Sequence, residues 1–182
     1  MLIEELFSRG IMKMGSASDG SGRLVGTFNP EFVRGLATVR AAEMETFRWL
    51  VGTWAYENSV PATSSSPAYV DAGSNRFTLC EKESWICAGP EGSEKRHLTF
   101  DPFSRQWIYV LLDGAYGILR SPGWTGDRIV FTGMMTMIGV TCEWRMSWTR
   151  KDDDHFGFVN EEKVNGDSWA YIDEWTFSRQ SR

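Results

Sequence analysis

A carboxylate set among large aromatic rings is the pattern in this chain with the clearest chemical use. In the stretch 168–179, Asp173 shares its period-two parity with Trp169, Tyr171, Trp175 and Phe177. Side chains of one parity on a strand lie on one side of a sheet. If that side faces inward, loss of solvation raises the Asp173 pKa and makes it a candidate general acid or base. The alternative is that Asp173 pairs with an arginine or accepts a Trp N–H. Glu83 is the second candidate, because Glu81, Glu83 and Trp85 share parity with Phe77 and Leu79. Tyr56, Tyr109 and Tyr171 could orient a ligand carbonyl through their hydroxyls, or serve only as core residues.

Other chemistries lack their signatures. There is no Gly-x-Ser-x-Gly elbow, and no histidine lies near a cysteine in sequence. The stretch "GSASDGSG" (15–22) lacks the spacing of a nucleotide-binding fingerprint. The two histidines, His97 and His155, and the three cysteines, Cys80, Cys87 and Cys142, form no metal-ligand spacing, so neither a metal nor another cofactor is expected. "RKDDDH" reads as a solvated hairpin tip without calcium-loop spacing, and His155 as part of it.

The bulk properties narrow the partners. A net charge of −5 lacks the basic face a nucleic-acid binder needs. The apolar run 108–112 suits a strand, and none approaches a membrane-spanning length. Three cysteines, an odd count with no close pairing, argue against a disulfide framework; Cys80 and Cys87 also fall on opposite parities if their strand is unbroken, which counts against a shared metal. The start "MLIEELFSRGIMKMG" has no basic n-region or long apolar core. Together these features lead to the expectation of a reducing cytoplasm. Nine of 182 residues are Trp, and such rings are frequent in ligand pockets.

The elements that must position these residues change character along the chain. Residues 1–29 read as a flexible N-terminal segment or lid. Asn29-Pro30-Glu31 is a capped helix start, and Phe32, Leu36, Val39, Met44 and Phe47 form an apolar stripe at helical spacing. The expectation is an α-helix over 30–48. After Gly52, short period-two runs alternate with turn chemistry: "GPEGS", "DPFSR", "DG", "SPGWTGD", "RKDDD" and "VNGD". Candidate strands are 53–59, 69–75, 77–88, 95–101, 106–113, 115–120, 128–137, 140–150, 155–164 and 168–179. Antiparallel strands joined by hairpins predict an up-and-down barrel of about 8–10 strands. In 140–150, Val140, Cys142, Trp144, Met146 and Trp148 oppose Thr141, Glu143, Arg145, Ser147 and Thr149. The aromatic faces are either solid core or the wall of a cavity, which a barrel of this size can hold.

Gly52-Thr53-Trp54, following a helix and opening the first strand, resembles the start of the lipocalin and wider calycin superfamily. That resemblance implies a Trp closing one barrel end beneath a late Arg; Arg179 is the candidate, with Arg145 second, through a cation–π contact. "LTFDPFSRQW" (98–107) and "DGAYGILRSPGWTGDRIVFTG" (113–133) are similar to an uncharacterised bacterial family of lipocalin-like domains. The resemblance spans about residues 47–179. It implies a mainly β, calycin-like barrel and an apolar ligand, but no reaction. A dirigent-like or allene-oxide-cyclase-like barrel shares the strand pattern.

The expectation is therefore a single barrel domain over 30–182. Tyr56, Trp85, Trp107, Tyr109, Trp144, Trp148, Trp169, Tyr171 and Trp175 are candidates for contact with a small hydrophobic or aromatic molecule. Gly52, Trp54 and Arg179 are expected to be structural. The same cavity could serve a cofactor-independent cyclase or isomerase of bacterial natural-product biosynthesis, cycloaddition included, because holding a flexible substrate in a reactive fold lowers the entropic barrier. A third reading is an interaction module with a solid core. Exposed edge strands or aromatics would support a homodimer.

Overall fold

The turn signals after Gly52 divide that region into antiparallel strands. The structure is a computed structural model describing residues 12–18, 24–28, 41–81, 83–90, 93–102, 104–163, 166 and 168–180. The chain divides into two compact units, Met1–Arg40 and Ala41–Arg182. In the first, where a flexible segment was expected, β1 (Met12–Ser18) pairs antiparallel with β2 (Leu24–Phe28). Residues 29–40, which hold most of the expected α-helix, lie outside the described residues.

In the second unit the chain runs β3 (Gly52–Val60), β4 (Tyr69–Cys80), β5 (Trp85–Gly89), β6 (Arg96–Asp101), β7 (Gln106–Leu112) and β8 (Ala115–Ser121). It continues through β9 (Trp124–Thr125), β10 (Arg128–Met137), β11 (Val140–Arg150), β12 (His155–Lys163) and β13 (Ala170–Arg179). Sequential neighbours pair antiparallel, β13 pairs with β3, and β10 pairs with both β8 and β11. Ten of the eleven strands thus close an up-and-down barrel, and the two-residue β9 pairs with the start of β10. Closure satisfies the backbone ladder without leaving a long edge.

A 3₁₀ helix, Ala42–Leu50, precedes β3 where the end of an α-helix was expected. Its buried residues are Met44, Phe47 and Leu50. With three residues per turn, a repeated three-residue spacing stays in line on one face. Phe47 meets Trp107 at 4.6 Å, Trp124 at 5.1 Å and Trp148 at 6.0 Å between ring centroids. Trp54, Trp148, Phe131 and Phe156 are also fully buried. The helix therefore belongs to a solid aromatic plug in one end of the barrel.

Both sequence motifs build this plug. Trp54 donates its indole N–H to the Leu50 carbonyl at 2.8 Å, and the Arg179 guanidinium carbon lies 4.2 Å from the Trp54 ring centroid. Arg179 also donates to the carbonyls of Val51 and Trp49 and, through Nε, to Asp154 Oδ1 at 3.0 Å. Gly52 has φ +141°, and a Cβ there would sit 2.7 Å from Arg179 Nη1. Glycine thus meets two needs at this position: the backbone conformation and the close approach of a cation. In "SPGWTGD", Trp124 sits within 6.5 Å of Trp49 as well as against Phe47.

Two departures from regular alternation reposition candidate residues. The expected single strand 77–88 is two strands joined by a turn at 81–84, in which Glu81 and Glu83 have φ +45° and +63°. The turn brings Cys80 and Cys87 onto one face, where they form a disulfide with Cα atoms 6.2 Å apart. This corrects the reading of unpaired cysteines and removes that support for a reducing compartment. Cys142 is free and buried. The second departure is a register shift between β12 and β13: Asn160 pairs with Asp173, but Glu161 pairs with Tyr171. The extra residue, Ile172, reverses which side Tyr171 and Trp169 face. No helix among the described residues is long and apolar enough to cross a membrane.

Candidate functional site: a cavity at the open end of the barrel

The end opposite the plug is hollow. A cavity of about 560 Å³ lies between the ends of β3, β7, β10 and β12 and the starts of β4, β8, β11 and β13. Its volume falls in the range of small-molecule pockets. Tyr109, Leu119, Met135, Trp144, Met146 and Phe158 form an apolar wall; Val60, Tyr69, Leu111, Met137 and Ile138 also line it. The β10–β11 hairpin turns through Ile138 and Gly139, with φ +49° and +77°, and leaves Ile138 93% exposed. A second depression, of about 580 Å³, lies outside the plug against Trp49, Trp124 and Arg150, with Lys151, Asp152 and Asp153 around it.

A polar strip crosses the cavity wall on four adjacent strands. Trp144 on β11 donates its indole N–H to Asn160 Oδ1 on β12 at 3.2 Å. Asn160 Nδ2 donates to Asp173 Oδ1 on β13 at 2.7 Å. Asn58 on β3 lies opposite Trp175 in the register. Asn58 is buried, yet its Oδ1 has no hydrogen-bond partner, and neither does the Trp175 Nε1. Both residues line the cavity. Asn75 Nδ2 and the indole N–H groups of Trp124 and Trp148 are also buried without partners, but Asn58 and Trp175 differ in facing this cavity, where a ligand could satisfy both.

Asp173 has its carboxyl pKa pushed up, chiefly by burial; the side chains of Asn160, Trp175 and Asn58 and the charge on Arg96 oppose that shift. Trp175 Nε1 approaches the carboxylate without reaching hydrogen-bond geometry. Arg96 enters the cavity from β6, its guanidinium carbon 5.1 Å from the Trp175 ring centroid and its Nη2 3.4 Å from Asp113 Oδ2. Lys95 donates to Asp113 at 2.9 Å, and this contact leads the effects that hold the Asp113 pKa below its ordinary value. Burial raises the Tyr109 pKa, leaving a neutral phenol on the wall.

The sequence-derived candidates separate into three groups. Tyr109, Trp144, Trp175 and Asp173 line the cavity. Trp107 and Trp148 belong to the plug, and Tyr56 packs against Trp175 at 4.9 Å with its hydroxyl 3.3 Å from Asp71. Trp85, Glu83, Trp169 and Tyr171 lie away from the cavity. Trp85 packs edge-on against His97, and Glu83 sits in the exposed β4–β5 turn, 3.8 Å from Arg48. Trp169 packs beside Arg145, whose guanidinium carbon is 4.4 Å from the ring centroid, while Tyr171 is exposed. Arg145 is held by Glu161 at 2.6 Å, away from Trp54.

Asn58, Arg96 and Asn160 line the cavity as well, outside the sequence-derived candidates. An inward parity shared with Trp54, for Asn58, was the available signal. His155, in the "RKDDDH" turn, is exposed and 2.9 Å from Asp152 Oδ1.

No protein-family model and no curated protein matches the sequence. Among solved structures, the crystal structure of Rv2717c from M. tuberculosis matches with a TM-score of 0.51 at 12% identity, over 79% of this chain and 100% of that one. At that identity the likeness concerns the fold alone. It supports the barrel and is compatible with a lipocalin-like architecture.

Proposed function

We propose that this chain is a lipocalin-like barrel of the calycin kind whose open-end cavity binds a small hydrophobic or aromatic molecule with a neutral hydrogen-bonding head. The observation that carries this reading is the apolar cavity of about 560 Å³ with Asn58 Oδ1 and Trp175 Nε1 unpaired on its wall. A hydroxyl could donate to the first and accept from the second. An anionic head would meet Asp173 at low dielectric, while Arg96 is already engaged with Asp113, a carboxylate it shares with Lys95. Apolar burial at roughly 25 cal/mol per Å² would supply most of the affinity.

Titration with naphthalene, 1-naphthol and 1-naphthoate, followed by tryptophan fluorescence, tests the reading. The expected order is naphthol first, ahead of naphthalene by about tenfold, one net hydrogen bond's worth. Naphthoate should be the weakest. Naphthoate in first place, or no binding by any of the three, would overturn it.

A second reading, an isomerase or cyclase of bacterial natural-product biosynthesis, draws on the raised Asp173 pKa inside the cavity. It expects a ligand released from native protein to be converted on incubation, and Asp173→Asn to stop conversion while naphthol binding persists. Recovery of unchanged ligand would exclude it.

A further inference from the structure

On the outer face of the barrel, the β4–β5 turn and the β5–β6 pairing gather four side chains of metal-binding type. Cys80 and Cys87 lie diagonally across the β4–β5 hairpin, Thr78 opposite Cys87 and Cys80 opposite Trp85. His97 on β6 is the direct register partner of Cys87. Glu94 comes from the segment entering β6. The Cys87 sulfur, a Glu94 carboxylate oxygen and a His97 ring nitrogen all lie within 4.8 Å of one another. Cys80 Sγ is bonded to Cys87 Sγ and so adjoins this group of three, at its edge. Cys87 is only 2% exposed, whereas Glu94 is exposed, so the cluster is walled by protein and open to solvent on one side.

We propose that this cluster is a thiol-switched site for a zinc-class cation. In the oxidised state the two sulfurs are engaged with each other and no cation binds. A dithiol reductant donates two electrons and two protons: the Cys80–Cys87 S–S bond breaks, two thiols form, and the reductant closes its own disulfide. Zn²⁺ then displaces the two thiol protons and takes both thiolates, the neutral His97 imidazole and the Glu94 carboxylate. Four such ligands match the tetrahedral preference of zinc. A thiolate–imidazole set favours zinc over magnesium or calcium, which seek oxygen ligands. Zn–S bonds of about 2.3 Å hold two thiolates roughly 3.8 Å apart, a separation the Cα spacing of 6.2 Å accommodates by side-chain rotation.

The cation would tie β4, β5 and β6 together when the disulfide is absent, so the hairpin keeps a cross-link in either redox state. His97 also adjoins Arg96, which points through the sheet to the cavity wall.

The test uses the full chain in two forms, oxidised and reduced anaerobically with a phosphine that is then removed. Each is titrated with Zn²⁺ against a chromogenic chelator, and with Co²⁺ as a spectroscopic reporter. The reduced form should bind one Zn²⁺ per chain, and Co²⁺ should give a thiolate charge-transfer band with intense tetrahedral bands. The oxidised form should do neither. His97→Ala, which leaves the disulfide intact, should weaken zinc binding by more than about 100-fold. Loss of an outer-shell partner alone costs roughly 10–100-fold, and here a ligand is lost. Cys142→Ser should bind like wild type. Equal zinc binding by both redox forms, no sulfur-to-cobalt band in the reduced form, or no effect of His97→Ala would each overturn the proposal.

Discussion

Asp173 lines the cavity, and its titration is linked to the stability of the barrel. Burial raises its folded-state pKa above the unfolded value. The folded protein therefore holds that proton more tightly. The associated stability is fully present below the unfolded pKa and is lost as pH rises through the folded pKa. Asp173→Asn removes this penalty while keeping a side chain of similar shape. The variant should melt above wild type near pH 7, with the advantage shrinking as pH falls toward the unfolded pKa of about 4. Thermal unfolding across that range checks this; a constant difference at every pH would contradict it. Ile138 supplies a second test. A β-branched residue at φ +49° is strained, and 93% exposure gives its side chain little compensating burial. Ile138→Gly should raise stability by about 1 kcal/mol in denaturant unfolding.

Individual elements show what the sequence could and could not reveal. Most strands were legible because their turns use Gly, Pro and Asp, as in Asp113-Gly114 and "DPFSR". The β4–β5 turn was not, because it bends at Glu81 and Glu83, residues without turn chemistry held at positive φ. An unbroken strand over 77–88 would place Glu83 in the sheet and Cys80 and Cys87 on opposite faces. The register shift at Asn160 and Glu161 was likewise invisible. Counting by two across that bulge kept Trp169 and Tyr171 on the Asp173 side, although the sheet turns them away. The Gly52–Trp54 motif was legible as a hint, but its cause lies in Arg179, more than a hundred residues away in sequence. Gly52→Ala should cost about 3 kcal/mol or more, because it adds a Cβ within 2.7 Å of Arg179 and forces φ +141° on an L side chain. A cost below 1 kcal/mol by chemical denaturation would show that the cation moves aside freely. Reduction of the short Cys80–Cys87 loop in the presence of a chelator should cost roughly 2–3 kcal/mol.

At the scale of the whole barrel, a solid end and a hollow end divide the labour. Phe47, Trp54, Trp148, Phe131 and Phe156 are fully buried and pack together in one end. Such a plug supports the wall against which Tyr109, Trp144 and Trp175 can stand without filling the other end. Barrel closure was legible as a run of hairpins, but the choice between a filled and an open interior was not, since both use the same aromatic parity. Phe47→Ala should destabilise the fold by about 3–5 kcal/mol, the usual cost of deleting a core phenylalanine. Ligand binding is the use proposed for the open end. A direct test is 1-naphthol titration of the wild type beside Ala115→Phe, which adds a ring to the cavity wall on β8 and leaves Asn58, Asp173 and Trp175, on β3 and β13, unchanged. Saturable, one-to-one binding by the wild type is expected, with at least a tenfold loss in the variant and its melting temperature retained. Equal affinity for the two folded proteins would contradict it.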